Sequence, residues 1–116
     1  MRLLPRISLT AHGLVELIAG LALTVAAFLL DLGGLGTVLV FVTGVSLAGI
    51  GLTAAETLPL SAHQALDRSV VMIVAGAAVV AAASDSVLAA SLLLGTAATV
   101  LVLELATRWS RPLGVR

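Results

Sequence analysis

Residues 9–31 read LTAHGLVELIAGLALTVAAFLLD. Past His12 and Glu16 this stretch carries no charge from Leu17 until Asp31. A bilayer core about 30 Å thick is crossed by a helix of roughly 20 apolar residues, which is what the stretch supplies. Working outward, three more windows of the same kind follow at residues 37–57, 61–83 and 87–107. Asp31 with Gly33, Gly34 and Gly36 reads as the first turn, since acid and glycine together are turn chemistry. Pro59 breaks the second span, and Ser61 is the expected N-cap of the third. Ser84, Asp85 and Ser86 make the next turn, and Pro112 cannot continue the fourth helix. The period-two alternation of a membrane barrel is missing. The sequence therefore predicts an all-α fold, a bundle of four transmembrane helices in a single membrane domain spanning residues 1–116.

Composition agrees with that assignment. Of 116 residues 60% are hydrophobic and 10% charged, against about 25% charged in an ordinary soluble domain. Too few polar side chains remain to cover the outside of a water-soluble fold, so the lipid bilayer is an expected partner. The absence of cysteine excludes disulfides, thiolate metal sites and cysteine nucleophiles. Zero net charge gives no general attraction to nucleic acid. No Gly-rich phosphate loop, nucleophile elbow or paired-acid hydrolase motif is present, and no catalysis is implied.

Basic residues set the expected orientation, because loops rich in Lys and Arg stay cytoplasmic. Arg2 and Arg6 precede span one, Arg68 follows the central loop, and Arg108, Arg111 and Arg116 follow span four. The two other turns carry Asp31 and Asp85 instead, so both termini are expected in the cytoplasm. Trp109 fits an interfacial anchor. Arg2 and Arg6 ahead of an apolar run also resemble the start of a cleaved signal peptide. The apolar stretch is longer than a usual signal core, and its opening recurs later in the chain, so the first span is expected to be retained.

That recurrence is an internal repeat. At an offset of 51 residues Leu9 aligns with Leu60, Thr10 with Ser61, Ala11 with Ala62, His12 with His63, Val15 with Leu66 and Glu16 with Asp67. A rival offset of 56 pairs Ala19, Gly20 and Ala22 with Ala75, Gly76 and Ala78, so an insertion separates the halves. Repeat one covers about residues 7–57 and repeat two about 58–109. Two units of two spans each have the same orientation, and a pseudo-twofold axis along the membrane normal relates them.

With His12, Glu16, Gly20 and the Ala26, Ala27, Phe28 segment, then Leu58 through Asp67, and the Leu105 to Trp109 ending, the chain resembles small bacterial membrane proteins of the SPW-repeat type. In those proteins a two-helix unit is duplicated. Where that family has Ser-Pro-Trp, this chain has Ala26, Ala27 and Phe28. The resemblance implies a multi-pass protein of the bacterial cytoplasmic membrane and names no substrate. Size, four spans and a lone glutamate in the first helix are also shared with small multidrug-resistance transporters. Those line an aromatic pocket for cationic drugs, however, and this chain is 3% aromatic.

Residues four apart share a helix face, so His12 stacks on Glu16 and His63 on Asp67. Glu56 and Glu104 add one acid each near the cytoplasmic ends of spans two and four. This inventory has the count of di-iron carboxylate bundles, although their Glu-x-x-His spacing differs from the His-x-x-x-acid found here. Imidazole with carboxylate suits Zn, Mn or Fe, making His12, Glu16, His63 and Asp67 candidate ligands to a divalent metal, with Glu56 and Glu104 as additional candidates. The two histidines could equally bind one haem, or the cluster could carry a proton or cation in a small transporter or channel component. The plain alternative is interfacial: these residues lie near helix ends, where water and headgroups relieve their charge, and Asp67 could pair with Arg68. The leading expectation from the sequence is accordingly a structural or accessory four-helix bundle, with the transporter or channel component and the metal- or haem-binding protein as its alternatives. Small residues at Gly44 and Ala48, and at Ser91, Gly95 and Thr99, permit close helix packing, inside the bundle or in a homodimer or with a membrane-protein partner.

Overall fold

The structure is a computed structural model that describes residues 7–53, 59–107 and 109. Four helices follow in order: α1 (Leu9–Leu29), α2 (Gly34–Leu52), α3 (Leu60–Ala83) and α4 (Val87–Ala106). All four are long and apolar enough to cross a membrane. At about 1.5 Å rise per residue, their 19 to 24 residues match the thickness of a bilayer core. The chain is a multi-pass membrane protein, and among the described residues it has no strand beyond one isolated bridge between Ile7 and Thr107.

The outer face of the helices is mostly apolar, and four ionisable side chains lie within. Phe28, Leu29, Met72, Ile73, Val79 and Val87 face outward, whereas His12, Glu16, His63 and Asp67 are at most 1% exposed. In water the arrangement would leave an outer face that nothing solvates; in lipid that face needs no cover.

Helices pair as two hairpins, α1 with α2 and α3 with α4. Within the first, backbones nearly touch. A Cβ added at Gly20 would lie 2.4 Å from the Ala48 nitrogen, and one at Gly44 would lie 2.7 Å from the Thr24 nitrogen. Gly44 and Ala48 therefore pack inside their own hairpin. Between hairpins the fit is looser, and no Cα of α1 comes within 8 Å of one in α3 among the described residues. Only long side chains bridge that diagonal.

Three local expectations are corrected. The second helix begins at Gly34, not Thr37, because Gly36 seats its first turn against Ser86 and Ala89, where a Cβ would meet atoms at 2.7 and 3.0 Å. Glycine there serves close approach rather than chain reversal; the reversal falls on Gly33 alone, at φ 75°. The N-cap of α3 is Pro59, with no side-chain capping bond, and Ser61 lies inside the helix. Described α2 closes at Leu52 with Thr53 as C-cap, and the remainder of the span expected to reach residue 57 lies outside the described residues.

The loop half of the bundle holds an apolar core built on Leu23, Leu32, Val40, Val74, Ala81 and Leu93. At the opposite end the N–H of Ile7 donates to the Ala106 carbonyl at 2.9 Å, joining the start of α1 to the end of α4. The polar residues gather at that end.

Candidate metal centre

Each hairpin contributes one helix turn with a histidine and an acid on the same face. From α1 come His12 and Glu16; from α3 come His63 and Asp67. The pairs interlock. His12 Nε2 lies 2.7 Å from Asp67 Oδ2 and 3.1 Å from Glu16 Oε1, while His63 Nε2 lies 3.2 Å from Glu16 Oε1 and 3.5 Å from Asp67 Oδ2. One ligand atom from each of the four residues falls within 4.8 Å of all the others. Around a tetrahedral ion with bonds of about 2.0–2.1 Å, neighbouring donors stand roughly 3.3 Å apart. The four nitrogen-to-oxygen edges here bracket that value, within a set that spans up to 4.8 Å and would draw in around an ion.

The outer nitrogen of each ring is held from the other repeat. His12 Nδ1 meets Thr107 Oγ1 at 2.6 Å, and His63 Nδ1 meets Thr53 Oγ1 at 3.3 Å. Thr53 and Thr107 close α2 and α4 as their C-caps. Both hydroxyls donate backward to helix carbonyls, Thr53 to Ile50 and Thr107 to Leu103. Their oxygens are thereby left as acceptors, so we assign a hydrogen to Nδ1 of each imidazole. Both Nε2 atoms then face carboxylate oxygens in a space that water does not reach.

An unprotonated Nε2 and a carboxylate are both acceptors and repel at these distances. Two occupants resolve the conflict: a proton on each ring, giving two imidazolium–carboxylate pairs, or a cation at the centre. With neutral rings the four residues carry a formal charge of −2, which a divalent ion cancels. Glu16 Oε2 and Asp67 Oδ1, moreover, are buried with no hydrogen-bond partner among the described residues. Such oxygens are uncommon, since buried polar atoms are nearly always bonded. They are the atoms that would extend a four-coordinate centre toward higher coordination.

Trp109 lies over both rings, its centroid 5.0 Å from His12 and 5.8 Å from His63, with its indole N–H donated to the Glu104 carbonyl at 3.0 Å. The expected membrane anchor thus covers the site. Glu104 stands apart from the cluster and pairs with Arg68. Asp67 does not pair with its neighbour Arg68, because consecutive helix residues point about 100° apart and Asp67 faces inward. Glu56 lies outside the described residues.

No family model matches the chain, and no curated protein or solved structure is significantly similar to it. The site is accordingly read from its own atoms. Spacing on one helix brought out the two His–acid pairs. Spacing within one helix does not mark Thr53, Thr107 or the seat of Trp109, because the threonines act on the opposite hairpin and Trp109 covers both histidines. Their signal was positional: both threonines end the second span of a repeat, 54 residues apart against the 51 of the histidines.

Proposed function

We propose that this membrane protein binds one divalent transition metal, Zn, Mn or Fe(II), through His12, Glu16, His63 and Asp67. The reading is of a binding protein of the bacterial cytoplasmic membrane, related to the SPW-repeat type and oriented with the metal end toward the cytoplasm. One observation carries it: two imidazole Nε2 atoms and two carboxylate oxygens converge on a single dry point, with ligand atoms within 4.8 Å of one another. Threonine acceptors behind both rings support it further, since a bound imidazole typically donates its other N–H to a fixed partner. The set of imidazole and carboxylate donors favours these metals over Ca or Cu(I). Orientation rests on the arginine distribution.

Burial argues against the interfacial account, for none of the four side chains reaches headgroups or water. Haem fits poorly. Glu16 and Asp67 stand between the two histidines, in the space a porphyrin ring would fill.

The test is elemental analysis of protein purified in mild detergent without chelator. About one ion per chain is expected in the wild type, with near-complete loss in His12→Ala and in His63→Ala. Trp109, the single tryptophan, reports occupancy through a fluorescence change on chelation and re-addition of metal. Helical, monodisperse protein that holds no metal and takes up none of the three ions would overturn the reading. If Glu16→Gln then abolished a pH-dependent proton flux in proteoliposomes, the imidazolium–carboxylate form would be the working one.

A further inference from the structure

The four donors of the centre alternate around a ring, His12 Nε2, Glu16 Oε1, His63 Nε2 and Asp67 Oδ2, with successive sides of 3.1, 3.2, 3.5 and 2.7 Å. Any wider separation within the set, which spans up to 4.8 Å, therefore lies across the ring between like atoms. Four equal bonds in a tetrahedron would make all six separations alike, at roughly 3.3 Å. A six-coordinate ion with bonds of about 2.1 Å instead sets adjacent donors roughly 3.0 Å apart and opposite donors roughly 4.2 Å apart. Short sides with a wide diagonal follow the second pattern.

Two more positions must then be filled, and the described residues leave two atoms for them. Water does not reach the four side chains, which are at most 1% exposed. Thr53 and Thr107 are engaged with the Nδ1 atoms on the far side of each ring. Trp109 has no lone pair to offer and donates its N–H to the Glu104 carbonyl. Glu16 Oε2 and Asp67 Oδ1 remain. Both are buried, neither has a hydrogen-bond partner among the described residues, and each shares its carboxylate with an oxygen already in the ring. A four-coordinate ion held by single oxygens would leave both bare in a dry site, where an unpaired carboxylate oxygen is costly. Chelation by both oxygens of each carboxylate satisfies them without any new group. Rotation about the last carbon–carbon bond of either side chain, a soft torsion, brings both oxygens to one ion.

We propose that the centre is six-coordinate, with two imidazoles and two chelating carboxylates, and that its working ion is Mn(II) or Fe(II). Of the three ions named above, zinc is the one whose structural sites are almost always tetrahedral. It still binds, because nitrogen and oxygen donors generally hold Zn more tightly than Mn(II) or Fe(II) whatever the site was built for. Coordination number, and not rank of affinity, is therefore the mark of the working ion. This rests on the metal reading and deepens it, and the two can fail separately.

The experiment loads full-length protein in mild detergent with Co(II), whose visible absorption reports its coordination, faint for six ligands and intense for four. Wild-type protein should take up about one Co(II) per chain and absorb about tenfold less than a tetrahedral site. Protein loaded with Mn(II) should show a narrow infrared splitting between the two carboxylate stretches, since chelation narrows it and a single-oxygen bond widens it. Glu16→Gln keeps the size of the side chain but offers one ligating oxygen, so at saturating Co(II) its absorption should rise about threefold or more. Should that variant bind no Co(II), the wild-type spectrum and splitting decide alone. An intense wild-type spectrum, a wide carboxylate splitting, or a Co(II)-loaded Glu16→Gln that absorbs like the wild type would each overturn six-coordination and leave the metal centre standing. Helical, monodisperse protein that takes up none of Co(II), Mn(II) and Zn(II) would remove the metal centre, and six-coordination with it.

Discussion

The two hairpins share one polar pattern and close by different means. In α1–α2 the helices meet backbone to backbone through Gly20, Gly44 and Gly51, the last with a would-be Cβ 2.6 Å from both the Gly13 carbonyl and the Leu17 nitrogen. In α3–α4 the contact is made by side chains such as Val74, Ala78, Ala89 and Leu93, and Gly76 and Gly95 have open space where a Cβ would go. What the halves hold in common is the His, the acid four residues later, and the threonine that ends the second helix. The shared pattern thus lies at the His–acid cluster, while packing is settled separately in each half. Glycine-mediated closure brings Gly51 against Glu16, where its Cβ would stand 3.1 Å from that of the acid, so the first hairpin fixes its carboxylate tightly.

The largest effect should come from breaking the tight hairpin. Gly20→Val places carbon where the Ala48 nitrogen and the Gly44 carbonyl already are, and no side chain can move aside to admit it. A loss of about 3 kcal/mol or more, or failure to fold, is expected from overpacking against backbone. The matching change Gly76→Val meets open space and should stay within about 1 kcal/mol. Thermal unfolding in detergent followed by circular dichroism distinguishes them. Equal effects would mean that the hairpins close alike.

Metal binding supplies the next contrast. The ligands must shed their protons to bind an ion, so zinc affinity should fall as pH falls, by about 100-fold per pH unit wherever both rings are protonated in the free protein. A slope of one proton would show that a single histidine titrates. Behind the rings, Thr107→Val removes the closer partner, 2.6 Å from His12, and Thr53→Val the more distant one, 3.3 Å from His63. Loss of such a support typically weakens metal affinity 10- to 100-fold. Thr107→Val should fall near the upper end and Thr53→Val near the lower, as read by zinc titration of Trp109 fluorescence.

The same contrast explains how much was legible beforehand. Hydropathy marks each span because lipid imposes the same demand on every helix, and the offset of 51 residues identifies the His–acid pairs because both lie on one face of one helix. Gly34 and Gly36 misread as turn because glycine signals bend and close approach alike. Which acid faces which histidine depends on how the hairpins meet. In the folded chain His12 takes Asp67 as its closest carboxylate partner, not Glu16 on its own helix. No periodicity within a single helix encodes that exchange.

Neighbours on α3 give the finest test. Asp67 is buried among the histidines, whereas the side chain of Arg68 is 68% exposed and reaches Glu104. Glu104, by contrast, is only 9% exposed, so the pair is half-buried and removing Arg68 leaves a poorly hydrated carboxylate without its cation, a cost of about 1 kcal/mol or more. Arg68→Ala should therefore lower the unfolding midpoint modestly and leave zinc titration unchanged, while Asp67→Asn, one residue away and nearly isosteric, removes a ligand charge and should abolish tight binding. If Arg68→Ala weakened zinc affinity as Asp67→Asn does, the Arg68–Glu104 pair would have to act on the centre through Trp109, whose indole N–H rests on the Glu104 carbonyl. A change in the zinc-free fluorescence of Trp109 in that variant would reveal it. Constant fluorescence and constant affinity would confine the metal chemistry to the inward face of α3 and leave Arg68 only its pairing with Glu104.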